Sequence, residues 1–146
     1  MTVQVNNINK AKSKDGGVIT LFAGDKFEIK NLNHFFSKNE AIHFEKILKN
    51  KKNTKESIIS FNLNEKSTII LVSIKKDLKG SGVENLGAKF YSFIKKNNIK
   101  NINIYSESVK SKPGKDFIGR FIHGFKLKSY EFNIYKSKKI KNNITI

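Results

Sequence analysis

Ser67-Thr68-Ile69-Ile70-Leu71-Val72-Ser73-Ile74 is apolar at nearly every position from Ile69 onward, and Gly80-Ser81-Gly82-Val83-Glu84-Asn85-Leu86-Gly87-Ala88-Lys89-Phe90 follows a few residues later. The first run lacks polar alternation, which predicts a central strand covered on both faces. The second places Val83, Leu86, Phe90, Phe93 and Ile94 at helical spacing, and Ser81 and Glu84 stand at the separation of a capping box. Asn97-Asn98 is suited to ending that helix in a left-handed turn. A buried strand feeding an amphipathic helix is the repeating unit of α/β architecture.

The flanking sequence extends the same pattern. Upstream of the strand, Ile58-Ile59-Ser60-Phe61-Asn62-Leu63 reads as a second strand, joined through Asn64-Glu65-Lys66 as a hairpin. Before it, Ala41, Phe44, Ile47 and Leu48 make one helical face that ends near Asn50, behind a capping-box pair at Ser37 and Glu40. Lys51-Lys52-Asn53-Thr54-Lys55 reads as a solvated loop. Residues 2–8 and 17–23 read as strands around a turn that ends in Gly16-Gly17. Downstream, Ile99, Ile102, Ile104 and Tyr105 supply another strand, and a third helix beginning near Lys115 carries Phe117, Ile118, Phe121, Ile122 and Phe125 on one side. That helix is expected to end where Tyr130 and Phe132 anchor the chain, and Lys141 to Ile146 reads as a last strand. The order β-β-α-β-β-α-β-α-β predicts one α/β domain, with a mixed β-sheet of about six strands flanked by helices.

Composition narrows the classes of function. The formal charge is +17, yet of 29 basic residues only Arg120 is arginine. Lys, Asn and Ile share AT-rich codons, so a low-GC genome inflates all three. Selection for phosphate or base-edge contacts favours Arg, whose planar fork grips them bidentately. Codon bias is therefore read as the main source of the charge, with nucleic-acid binding as the alternative, since any strongly basic surface attracts polyanions. Cysteine does not occur, which rules out disulfides and thiolate metal sites and is consistent with a cytoplasmic location. The N-terminal residues carry no signal-peptide pattern, and the longest apolar run is of strand length. No membrane partner is expected.

Candidate chemistry is sparse. The histidines are His34, His43 and His123, and only Glu40 and His43 have helical ligand spacing, whereas a di-metal bundle site needs two such pairs. Asp15, Asp25, Asp77 and Asp116 fall in predicted loops and helix starts. No serine lies in a Gly-x-Ser-x-Gly elbow. Gly80-Ser81-Gly82 after a buried strand resembles a phosphate-cradling turn, but neither the dinucleotide fingerprint nor a Walker lysine is present, so it reads as a plain loop into a capped helix. The basic, aromatic strip from Lys126 to Lys139 suits either stacking on nucleic acid or a helix end with packed rings. No catalytic, cofactor-binding or metal-ligating residue is assigned.

That strip also carries a resemblance. Gly124-Phe125-Lys126-Leu127-Lys128-Ser129-Tyr130-Glu131-Phe132-Asn133-Ile134-Tyr135-Lys136-Ser137-Lys138-Lys139 is similar to the end of the N-terminal domain of the leucyl aminopeptidase (cytosol aminopeptidase) family. Ile69 to Lys76 resembles that domain's apolar strand, with Ser73 and Lys75 in place of its glycines, and Val83 to Phe90 resembles the helix that carries its Gly-Ala pair. The resemblance implies a macro-domain-like fold over residues 1–146, standing ahead of a separate catalytic domain that releases N-terminal amino acids from peptides. It implies two divalent ions, Mn or Zn, in that other domain and none here, and a role in hexamer assembly rather than catalysis. The domain's partners would be its own catalytic domain and further copies of the chain. The halt after Ile144-Thr145-Ile146 fits a cut at a domain boundary. The alternatives are a non-specific nucleic-acid-binding module and a binder of ADP-ribose. The latter needs a Gly-rich diphosphate loop and an acidic adenine partner, which the sequence does not offer.

Overall fold

The computed structural model describes residues 17–29 (26 by its backbone), 36–51, 55–75, 78–105 and 116–130, and the backbone of 3–4, 6–7, 131–136 and 144–145. Strands β1 (Val3–Gln4), β2 (Asn6–Asn7) and β3 (Gly17–Ala23) come first. A 3₁₀ turn at Asp25–Phe27, helix α1 (Lys38–Lys51) and strands β4 (Ile58–Asn62) and β5 (Ser67–Ser73) follow. Helix α2 (Gly80–Lys96), β6 (Asn103–Ile104), helix α3 (Phe117–Lys136) and β7 (Ile144–Thr145) complete the order.

The sheet runs β2-β6-β3-β5-β4. Its interior pairs, β6 with β3 and β3 with β5, are parallel, and β4 joins β5 antiparallel through the hairpin. Asn64 closes that hairpin, its Oδ1 accepting the backbone N–H groups of Lys66 and Ser67 at 2.8 Å. The sheet is smaller than the six strands read from the sequence. Four strands form its body, β2 adds only Asn6–Asn7 at one edge, and β1 pairs with β7 apart from it. β6 is short because Ile99, expected in the strand, is spent on ending α2. Its N–H bonds the Ile94 carbonyl at 3.1 Å, while Asn98 takes the left-handed conformation at φ 54°. This is the paired-bond helix stop that the Asn-Asn sequence predicts.

Side-chain alternation along β3 and β5 divides the core between two faces. On one, Ile19, Leu21, Ile69 and Leu71 pack with Ala41, Phe44 and Leu48 of α1. On the other, Phe22, Ile70 and Val72 meet Val83, Leu86, Phe90 and Ile94 of α2 and Phe117, Phe121 and Phe125 of α3. Phe22 sits edge-on to Phe117 and Phe121, with ring centroids 5.3 and 5.1 Å apart, a preferred aromatic geometry. The sheet thus lies between α1 and an α2–α3 layer, and β5 is buried from Ile69 to Ser73, as its apolar run requires.

Two glycines set the spacing of that helical layer. A Cβ on Gly87 would fall on the backbone carbonyl of Phe121, and one on Gly124 on the carbonyl of Glu84. The α2 and α3 backbones therefore touch, with no side chain between them at either point.

Candidate functional site

The residues singled out for chemistry do not converge. His43 and His123 are exposed on different helices, and His34 lies outside the described residues. Glu40 acts as a cap: its carboxylate accepts the Ser37 N–H and the Ser37 hydroxyl accepts the Glu40 N–H, each at 3.3 Å. Asp25 opens the 3₁₀ turn, and the Asp116 carbonyl accepts the Arg120 N–H at 3.0 Å at the start of α3. Asp15 and Asp77 are outside the described residues. Among the described residues, no group of three or more His, Asp or Glu is placed to hold a metal ion. The metals that the resemblance implies therefore have no fitting donor set in the described part of the domain.

The second capping box does not form. Lys79 is the N-cap and makes no side-chain cap bond, and its carbonyl accepts the Val83 N–H at 2.9 Å. The helix thus starts two residues early, placing Ser81 inside it where its hydroxyl cannot cap. The basic strip also departs from expectation. α3 continues to Lys136 instead of ending near Tyr130. Tyr130 is 67% exposed and anchors nothing, Leu127 beside it is 47% exposed, and the Phe132 side chain lies outside the described residues.

The structure does bring together residues that the sequence leaves scattered. A cleft of about 380 Å³ lies at the carboxyl ends of β3 and β5. Asp25 and Phe27 reach it from the end of β3, and Ser73, Lys75 and Leu78 from the end of β5. Gly82, Asn85, Leu86 and Lys89 form its α2 wall, and Lys55, Glu56 and Ser57, which lead into β4, close the other side. Ser73 is held by the bond from its hydroxyl to the Gly24 carbonyl, 3.0 Å, which ties the two strand ends together. Phe27, buried in the floor, has φ 60°, a conformation rarely taken by a bulky side chain. A shallower groove continues along α2 past Lys89 to Phe93, Lys96 and Asn97. The sequence signal was the Gly80-Ser81-Gly82 turn after a buried strand, read above as a plain loop.

The profile described as "Cytosol aminopeptidase family, N-terminal domain" matches residues 40–139, more than half of the chain. No curated protein matches the sequence. Among solved structures, a mutant of tomato leucine aminopeptidase is similar to 99% of this chain with a TM-score of 0.62 and 15% sequence identity. The similarity takes in 31% of the tomato chain, so the domain spans about a third of that protein's length. At that identity the match concerns the fold alone.

Proposed function

The chain belongs to the cytosol aminopeptidase family through its N-terminal domain, and from that premise we propose that it is the non-catalytic assembly domain of a metal-dependent aminopeptidase. The observation that carries this reading is the family match itself, which falls on the N-terminal domain and not on a peptidase domain. A pair of divalent ions in such an enzyme would supply Lewis-acid polarisation of the peptide carbonyl and a more acidic bound water. In this reading those ions, Mn or Zn, belong to a second domain, and residues 1–146 hold that domain in a homo-oligomer, a hexamer in the family pattern. The exposed Leu127 and Tyr130 on the outer side of α3 are suited to such a contact, since large apolar side chains on one helix face gain by being covered.

The test has two arms. The purified chain should not hydrolyse leucine arylamides with added manganese or zinc, and chelator-sensitive turnover by the pure chain would sink the proposal. In the parent enzyme, Leu127→Lys combined with Tyr130→Lys should lower the oligomer mass seen by light scattering. An unchanged mass would remove α3 from the assembly surface.

A further inference from the structure

β3 and β5 are adjacent and parallel, but the chain leaves them in opposite directions. After β3 it passes to α1 on one face of the sheet, and after β5 to α2 on the other. Two neighbouring parallel strands whose helices depart to opposite faces leave a crevice between their carboxyl ends. In open α/β sheets that crevice is where ligands bind. The cleft lined by Phe27, Ser73, Lys75 and Lys89 occupies this position. Its volume of about 380 Å³ falls within the roughly 300–1,000 Å³ of small-molecule sites.

From this placement we propose that the switch-point cleft binds a small phosphorylated molecule, with Lys75 and Lys89 on the phosphate and Phe27 and Leu86 beneath its organic part. The proposal goes beyond the assembly role and does not depend on it. Lys55, Lys75 and Lys89 line the cleft together with Asp25 and Glu56, three cations to two carboxylates, and Lys96 adds a further cation along the groove. Positive charge therefore prevails. The α2 wall adds to it: the first turn contains no acidic residue and its amides receive no side-chain cap, a combination that favours an anion. Ser57, Ser73 and Asn85 supply hydroxyl and amide groups at the walls. The floor of Phe27, Leu78 and Leu86 is apolar, which suits an organic body better than a bare ion. A Gly-rich diphosphate loop is not present in the sequence, so the cleft suits a single phosphate group rather than a dinucleotide.

The experiment must separate this cleft from the general basicity of the surface. Phenyl phosphate is the probe, titrated by calorimetry and by chemical-shift mapping at physiological salt, with inorganic phosphate in parallel. Lys75→Ala combined with Lys89→Ala should weaken phenyl phosphate at least tenfold, whereas Lys46→Ala combined with Lys49→Ala on α1 should leave it unchanged. Asn85→Trp keeps every lysine but fills the cleft, and it should abolish binding without lowering the melting temperature by more than a degree or two. Equal losses from both lysine pairs, or full binding by Asn85→Trp, would overturn the proposal. So would equal affinity for inorganic phosphate, because the apolar floor would then contribute nothing. The activity and mass measurements that test the assembly role do not enter this outcome.

Discussion

Glycine at 87 and 124 is a matter of contact and not of backbone conformation, since both lie within helices where any residue adopts the required angles. Backbone atoms of the opposite helix occupy the place where Cβ would go, and backbone cannot rotate aside as a side chain can. Gly124→Ala should therefore push α2 and α3 apart, at a cost of about 1–3 kcal/mol or more. Gly119 lies on the same helix with nothing within 4 Å of its would-be Cβ. Gly119→Ala should stabilise by up to ~1 kcal/mol through helix propensity alone. Thermal melting of the two variants should move in opposite directions, and a Gly124→Ala protein that melts like the wild type would refute the close-contact account. Tyr91 offers a second check at this scale. Burial pushes its phenol up to about 12 from 10.0. The folded state thus holds the proton more tightly than the unfolded chain does. Its contribution to stability is complete below pH ~10 and is lost as the pH rises toward ~12. Tyr91→Phe should remove a late-ionising component from a phenolate absorbance titration. A titration curve that Tyr91→Phe leaves unchanged at high pH would contradict the burial.

Helices and strands show which local signals dominate. The Ser37–Glu40 box forms, so Ser37→Ala should cost about 1 kcal/mol, within the usual range for an N-cap. Ser81 has the same sequence spacing to Glu84 but no cap bond, so Ser81→Ala should be close to neutral. Comparing the two by urea denaturation distinguishes an occupied cap from a coincidence of spacing. The apolar periodicity of α1, α2 and the first turns of α3 was legible because burial enforces it: Phe44, Phe90, Phe121 and Phe125 are each in the core. The end of α3 was not legible. The sequence reads as stopping the helix near Tyr130 and Phe132, whereas the helix runs on to Lys136. In the helix Lys126 faces solvent, and the Ser129 hydroxyl bonds back to the Lys126 carbonyl at 2.7 Å, so neither breaks the turn. The loss of Ile99 from β6 has a similar cause, since a helix stop outcompeted strand pairing for one backbone N–H.

At the scale of the whole molecule, the layered α/β fold could be read from the sequence because it rests on periodicity, which is local. The cleft could not. Its walls come from segments around positions 25, 56, 75 and 85, and only the sheet order brings them together. The same scale governs the protein's response to polyanions. Exposed lysines occur on α1 at Lys38, Lys46 and Lys49, in the hairpin at Lys66, on α2 at Lys89 and Lys96, and on α3 at Lys126. Among the described residues the charge is spread over every layer, which attracts nucleic acid from any direction and forms no stripe matched to a groove. Duplex DNA should therefore bind weakly, at about 10⁻⁴–10⁻⁶ M near physiological salt, because counterion release provides nearly all of the free energy. Affinity should fall linearly on logarithmic axes as salt rises, and scrambling the DNA sequence should not change it. Removing any one of these exposed lysines should reduce the salt slope by less than one counterion. Fluorescence anisotropy at several salt concentrations measures slope and affinity together. Submicromolar binding that survives physiological salt and depends on sequence would mean that one surface has been shaped for nucleic acid. Codon bias would then no longer explain the lysines, and the domain would have a nucleic-acid-binding role.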